Sequence, residues 1–539
     1  MSSTFGTITT VRLGIYAAQK GLDVTGNNIT NINTNGYTRQ RLDQISLVVS
    51  ASDKYGSQYK ARVGQGPVLT GISQLRDPGM DISYRKANSD VGSADQMLAG
   101  LEDLAGILDE VGKGDGEQDD GVILNQLNDL RDLINQALTN GIEDYEGSIR
   151  ASANALCTQF HQYAKALEGL MEDYETQFDE DTTRVNQILT ELRDVNLQIR
   201  NSDVRGDAAL ELRDQRNLLL DELSGYMKID VTYSMVDAGG GYMVEEMSVK
   251  LADKNNPETF LVQGEYAAQL SHKLQGGSFR NNYNIAVTPL KNKDGDKKDP
   301  AAFDEVLGDN DLYGSLQSLR ELLTEEGEYA SAADSKTDPN AASKRGIPYY
   351  IKQLDSLAQT FAEEMNKLNT VTPGTNIDGA GDLFETNDGS GAITAGNITI
   401  SQEWAEGTVK MLSTRDPNAP TDDRSNLAEF LNLFNSKDIE FDPKDIVGDA
   451  QGATYEGSFE SMLLRIQSTL AQDQMAATTT VSNYAITLNN VYTDRDSITG
   501  VDLNDEATSL MVYQKAYTAA CRVLTTLEEA IDTLLNATA

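Results

Sequence analysis

Two heptad stripes, one at each extreme of the chain, constrain the fold more than any other feature. Near the N-terminus Ile8, Ile15, Leu22 and Ile29 recur every seven residues, and Val11, Ala18, Thr25 and Ile32 follow each of them by three. Near the C-terminus Leu510, Tyr517, Leu524 and Ile531 form one register and Tyr513, Ala520, Leu527 and Leu534 the other. Such spacing lays a narrow apolar seam along one side of an α-helix. A lone amphipathic helix has nothing of its own to bury that seam against, so the economical solution is that the two terminal helices pair as a coiled coil. A helix facing its own core would show a similar stripe. Matched length, position at both ends and opposite charge favour pairing instead: residues 1–62 hold seven cations to three carboxylates, and residues 500–539 hold two cations to six carboxylates. A two-helix unit is marginal alone, which predicts ends that are disordered in a free monomer and ordered in an assembly. The first stripe stops at the turn signal Asn33-Thr34-Asn35-Gly36. The second starts after Gly500, with Asp502, Asp505 and Glu506 where a helix N-terminus favours negative charge.

Between the ends the pattern is nested. A long helical seam over 145–203 runs through Leu156, Phe160, Tyr163, Leu167, Leu170, Tyr174, Phe178, Val185, Ile188, Leu192, Val195 and Ile199. Its 174-to-178 step is a stutter, with Asp181 the one charge in the seam. Further helical patterns cover 94–111, 122–138, 210–223, 349–369 and 457–495, and a short helix is expected around Leu316–Leu323. Near 226 the period changes to alternating, turn-punctuated segments, with Gly239-Gly240-Gly241 as a hairpin-like break. Lys291–Pro300 reads as a charged, mobile loop, and 371–455 as mixed and loop-rich with one β signal at Ile398–Ile400. The fold class is therefore mainly α with a β-rich insertion (α+β), elongated and multidomain. Residues 1–62 and 496–539 form a terminal coiled-coil polymerisation unit, 63–225 and 347–495 a long-helix bundle, and 226–346 a distal β-containing head.

The chemistry is bland. A net charge of −40 argues against nucleic acid, whose binders need cations to displace counterions, and against an anionic membrane surface. No apolar run reaches membrane-spanning length, and the first residues show no cleavable leader, Arg12 and Gly14 interrupting what apolar character there is. Cys157 and Cys521 define neither a disulfide framework nor a zinc site. His161 and His272 have no spaced catalytic partner. Gly112-Lys113-Gly114 lacks the rest of a phosphate loop, and Asp115–Asp120 departs from calcium-loop spacing. Trp404 reads as a core anchor. No catalytic, metal or cofactor-binding residue emerges, and the chain reads as structural rather than enzymatic.

One stretch is more specific. Asn27, Asn28, Asn31, Gly36, Tyr37, Thr38, Arg39 and Gln40 stand within Gly26–Gln40, a segment that resembles the N-terminal signature of flagellar rod, hook and hook-associated axial proteins. Gly500-Val501-Asp502-Leu503 and the Leu510–Leu535 run are similar to the same family's C-terminus, with Asp and Asn exchanged at 502 and 504. Asp214-Gln215-Arg216 resembles a segment closing the long helix in the hook-associated branch, and Leu354-Asp355 to Asn366 is also similar. The centre, 226–346 and 371–455, matches no motif.

The resemblance implies a structural subunit at the junction of hook and filament, located outside the cell and exported unfolded by the flagellar type III apparatus. It would assemble with itself as a helical ring, between hook protein and a second junction protein, with an export chaperone on the C-terminal helix before secretion. A hook or distal-rod protein of the same family is the alternative. An enzyme or adhesin carried on such a scaffold finds no support in the 226–346 insertion. Limited proteolysis with mass spectrometry checks the physical part: the expected outcome is rapid loss of about 1–60 and 500–539 from a resistant core of about 70–495.

Overall fold

The computed structural model describes residues 4–47, 64–108, 122–239, 241–252, 259–272, 283–308, 310–371 and 377–538. Gly112–Gly114, Asp115–Asp120 and the end of the 1–62 unit lie outside the described residues, as does the side chain of His272.

Helix α1 (Thr4–Thr30) leads through a turn into the antiparallel pair β1 (Gln40–Ser46) and β2 (Pro67–Gln74), which has a bulge at Asp43/Gln44. Helix α2 (Pro78–Ile107) starts well before the apolar periodicity does. Its first half buries Asp81, Arg85 and Ser89, so the packed face is polar there and hydrophobic periodicity misses it. Proline opens the helix and Asp77 caps it, Oδ1 accepting the N–H of Gly79 at 2.8 Å. Helices α3 (Val122–Asn140), α4 (Glu146–Val204) and α5 (Leu210–Tyr226) follow the expected spans closely. The α4 seam is buried on both sides of its stutter, from Ile149 to Ile199.

The chain leaves the helices at Met227. Strands β3 (Ile229–Asp237), β4 (Met243–Leu251), β5 (Phe260–Gln263) and β6 (Tyr266–Ala267) form an antiparallel sheet in that order. Strands β7 (Leu270–His272), β8 (Ile285–Val287) and β9 (Glu305–Val306) form a second. Lys291–Pro300 is an ordered turn rather than a mobile loop. The Oδ1 of Asn292 accepts the N–H groups of Asp294 and Asp296 at 3.0 and 2.8 Å, and Gly295 supplies φ +88.

The return is through α6 (Gly314–Thr324), the short turn α7 (Asp334–Thr337) and α8 (Ile347–Asn369). Exit and return are stitched together: the N–H of Lys228 donates to the carbonyl of Leu312 at 3.1 Å, and Gly314, at φ +67, lies against the backbone of Tyr226–Met227 with no room for a Cβ.

The 371–455 region holds more structure than its sequence suggests: β10 (Phe384–Thr386) paired with β11 (Ile398–Ile400), α9 (Gln402–Glu406), α10 (Ser425–Asn435), β12 (Ile439–Phe441), α11 (Pro443–Ile446) and β13 (Tyr455–Gly457), the last pairing with β12. These pieces are short and share one aromatic core. Phe361 of α8 lies 5.2 Å from Phe384 and 5.4 Å from Phe459, and Trp404 packs edge-on to Phe384 at 5.8 Å. Trp404 is fully buried, and its indole N–H donates to Glu146 at 2.6 Å. His161 sets Nε2 2.7 Å from the carbonyl of Ile398, which ties α4 to β11. Helices α12 (Phe459–Thr499) and α13 (Leu503–Thr538) close the chain, α12 lying along α2 and α13 along α1.

Asp355 of α8 titrates under this packing. Burial raises its carboxyl to about 6, against the opposing pull of the Ala395 N–H it accepts at 2.8 Å. A raised carboxyl binds its proton more tightly when folded, so its contribution to stability is full near pH 4 and is lost as pH rises through 6. Asp355→Asn, which keeps the bond to Ala395, is expected to stabilise the aromatic core at pH 8 by up to about 3 kcal/mol and to make little difference at pH 4. Thermal melts followed by Trp404 fluorescence measure the gap.

Candidate assembly junction

Within one chain α1 lies along α13 and also against β1 and β2, and it buries Ala17, Ala18, Gly21, Val24, Thr25 and Asn28. The ring of Tyr513 sits on Gly21, where a Cβ would collide with it. Of the first stripe, Ala18 and Thr25 are buried, Ile8, Val11, Ile15, Leu22 and Ile29 are half-buried, and Ile32 is exposed. Of the second, Tyr513, Ala520, Leu524, Leu527 and Ile531 are half-buried, and Leu510, Tyr517 and Leu534 are exposed. Close approach at glycine and alanine turns the buried face slightly away from the large apolar side chains and leaves them half-covered.

The polar motifs converge at the root of this pair. The carboxamide of Asn28 closes the turn: Oδ1 accepts the N–H of Gln40 at 3.0 Å and the Tyr37 hydroxyl at 2.8 Å, and Nδ2 donates to the Gln40 carbonyl at 3.0 Å. Asn31 donates to the carbonyl of Asn27 at 3.0 Å, and Asn33 and Asn35 are exposed. Gly36 takes φ +77, a left-handed conformation that costs glycine nothing, and packs on Leu218. Beyond Tyr37, Thr38 and Gln40 reach α5, and Arg39 reaches both α12 and α13. The N–H of Thr38 donates to Asp214 of α5 at 3.1 Å. Arg39 donates from Nε to Glu506 of α13 at 2.7 Å and from its backbone N–H to the last carbonyl of α12, Thr499, at 2.9 Å. Gln40 donates from Nε2 to Glu211 at 3.3 Å. Asp502 caps α13, accepting the N–H of Asn504 at 2.7 Å. Gly500 leaves no room for a side chain against Asp496, Val501 is half-buried and Leu503 exposed.

Asp214-Gln215-Arg216 divides its work between two directions. Asp214 faces the terminal turn, Gln215 faces solvent, and Arg216 faces the inserted sheet, donating to Glu245 of β4 at 2.8 Å and stacking on Tyr233 of β3 at 4.8 Å. Burial raises the Asp214 carboxyl, opposed by the hydroxyl and N–H of Thr38 and by Arg76. Burial pushes Glu245 up as well, but Arg216 and Arg213 outweigh it and hold the carboxyl below its usual range.

A second layer of charge sits beneath. Arg76 grips Asp81 with two bonds, at 2.6 and 2.9 Å. Burial works against its charge, but Asp81 more than compensates. Asp221 of α5 joins Arg85 of α2 at 2.9 Å to Arg495 of α12 at 2.6 Å, and Arg495 also stacks on Tyr84 at 4.2 Å. Sequence reasoning did not single out Arg76, Asp81, Arg85, Asp221 or Arg495. The available signal was slight: Asp221 and Glu222 together interrupt the leucines at 218–220 and 223. Two open clefts, of about 680 and 490 Å³, flank the Asn35–Tyr37 turn on its two sides. Among the described residues no cluster of three or more metal-ligating side chains forms, and no helix is long and apolar enough to cross a membrane.

Comparison with known proteins places this geometry. The family model described as the Flagellar hook-associated protein FlgK helical domain matches residues 116–384, and that described as the Flagellar basal body rod FlgEFG protein C-terminal matches 496–537. The chain is 25% identical to flagellar hook-associated protein 1 of Bacillus subtilis (strain 168), an alignment covering 99% of each. It is 22% identical to flagellar hook-associated protein 1 of Salmonella typhimurium, over 97% of this chain and 98% of that one. The chain belongs to the flagellar hook-associated protein 1 family. A solved structure, the flagellar hook junction protein FlgK from Burkholderia pseudomallei, aligns with 57% of this chain and 47% of its own length at 18% identity and a TM-score of 0.40. The family's helical-domain match takes in α3 to α8, the inserted sheets included, and its C-terminal match takes in nearly all of α13. This is a family of structural proteins located in the flagellum.

Removing one partner of a buried ion pair leaves the other charge desolvated. Glu506 is only 2% exposed. Arg39→Ala is therefore expected to cost about 3 kcal/mol at this junction. Hydrogen exchange checks it: amides in the first turns of α13 should exchange roughly a hundredfold faster, while those of α4 are unchanged.

Proposed function

We propose that this chain, a hook-associated structural protein of the flagellum at the hook–filament junction, works as one copy in a helical ring built through its terminal helices. The observation that carries the reading is the half-covered seam. Leu510, Met511, Val512, Tyr517, Val523 and Leu534 are exposed on α13 in a chain of net charge −40. Apolar surface on that scale along a paired helix is what an assembly buries. A head-to-tail contact repeated by a fixed rotation makes a ring or an open helix.

In this reading 1–62 and 496–539 are the polymerising unit, 63–225 with 347–495 the bundle that surrounds it, and 226–346 the outward head. Hook protein adjoins the ring on one side and a second junction protein on the other. The chain reaches the cell exterior unfolded, through the flagellar type III apparatus. Before export a chaperone covers the Leu510–Leu534 seam, which would otherwise join copies prematurely. The role is mechanical, and no catalytic step is assigned to any residue.

The test is electron microscopy of cells in which the native gene is replaced. Met511→Asp with Val512→Asp alters exposed positions outside the α1–α13 contact, so the chain is expected to fold. Cells making it are expected to carry hooks that lack filaments. Filaments of normal number would overturn the reading.

A further inference from the structure

The sequence holds two Asn-Gly pairs, Asn35-Gly36 and Asn140-Gly141. An asparagine followed by glycine is prone to spontaneous deamidation, because glycine sets no side chain in the way of its own nitrogen as that nitrogen turns toward the carboxamide. Both asparagines are exposed, and both glycines take a positive φ, +77 and +113. Exposure and backbone conformation therefore do not separate the two pairs. Their hydrogen bonds do.

At Asn140 both reacting groups are held. The N–H of Gly141 donates to the carbonyl of Ala137 at 2.8 Å, continuing the last turn of α3, and Nδ2 of Asn140 donates to the Tyr145 hydroxyl at 3.1 Å. A nitrogen committed to a carbonyl has to give up that bond before it can lose its proton and attack. At Asn35 both groups are loose. The N–H of Tyr37 donates to the carbonyl of Thr34 at 3.2 Å, closing a four-residue turn in which Asn35 and Gly36 are the two central residues. Neither the Gly36 N–H nor the Asn35 carboxamide bonds to a described residue.

We propose that Asn35-Gly36 is a site of spontaneous deamidation, and that conversion there loosens the terminal junction. The Gly36 nitrogen gives its proton to hydroxide and attacks Cγ of Asn35. The new N–Cγ bond closes a succinimide ring, the Cγ–Nδ2 bond breaks, and Nδ2 takes a proton from water and leaves as ammonia. A water molecule then opens the ring at one of its two carbonyls. One opening leaves aspartate at position 35, the other isoaspartate, whose main chain runs through the former side-chain carbon. Water is the only co-reactant, and nothing is oxidised or reduced.

Both products disturb the junction. The new carboxylate lines the same cleft as Asp496, Asp502 and Asp505, where Arg39 is already bonded to Glu506. Isoaspartate also adds one main-chain atom between Thr34 and Tyr37, so the bond that closes the turn no longer fits. Thr38, Arg39 and Gln40, which hold α5, α12 and α13, follow directly. The step needs no second copy and stands apart from the ring reading.

The experiment ages the purified full chain at mildly alkaline pH and maps it with trypsin, which leaves the two pairs in separate peptides, Gly21–Arg39 and Asp132–Arg150. Mass spectrometry is expected to find Gly21–Arg39 heavier by one mass unit at position 35, with isoaspartate present, while Asp132–Arg150 keeps its mass. A sample aged in denaturant is expected to convert both pairs at similar rates, because unfolding frees the groups at Asn140. A folded chain that converts neither pair, or Asn140 as fast as Asn35, would overturn the assignment. Hydrogen exchange reads the consequence. After ageing, amides in the first turns of α13 are expected to exchange roughly tenfold faster. Asn35→Gln keeps an amide but cyclises far more slowly, and is expected to age without that change. Converted chains whose α13 amides exchange as before, or an Asn35→Gln chain that loosens equally on ageing, would overturn the link to the junction.

Discussion

The ion pair between Arg39 and Glu506 is the contact on which the arrangement of both chain ends depends. It is nearly dry on the carboxylate side, so either partner without the other would be costly. Pairing a seam of alanine, glycine and threonine leaves register loosely specified, because small side chains interlock weakly. A buried, two-atom charge contact has one good register only. Around it, Thr38 and Gln40 are committed to α5 and the Arg39 backbone to α12. Three consecutive residues beyond α1 thus set where α5, α12 and α13 stand relative to each other.

Much of this was legible before any coordinates. Helices α3, α4, α5, α8 and the first part of α12, as far as Leu470, follow their apolar periodicity because each packs an apolar stripe on a shared core. The hairpin β3–β4 follows its alternation and its glycine-marked turn. The failures have physical causes. The first half of α2 is held by Asp81, Arg85 and Ser89, and a polar packed face carries no hydrophobic period. Strands β1 and β2 are bonded to each other across residues distant in sequence, so neither has a local turn signal. The pieces between 371 and 455 are too short for a period to develop and are held by side chains from elsewhere, Trp404 by Glu146 and Asn426 by the carbonyl of Leu368.

The junction was legible as a set of names before it was legible as a place. Asn28, Thr38, Arg39, Asp214 and Gly500 each stood out by resemblance, but nothing in their spacing shows that Thr38 meets Asp214 or that Arg39 meets Glu506. Contacts separated by well over a hundred residues are a property of the fold. The arginine–aspartate layer beneath had no resemblance to announce it, and Asp221, beside Glu222 on a helix, gave no distinctive signal of its own.

Helix α4 has a consequence of its own. It runs unbroken for 59 residues, roughly 90 Å at helical rise. Its first half is tied to the aromatic core through His161 and Glu146, and its second half to the inserted sheets through Asn186 and Asn196. A sideways load on the sheets therefore bends a continuous ladder of backbone hydrogen bonds rather than opening a seam between parts. On the proposed reading, in which these sheets form the outward head of a ring subunit, that makes the head a lever fixed at its base, one that returns strain to the axis elastically instead of yielding at a hinge.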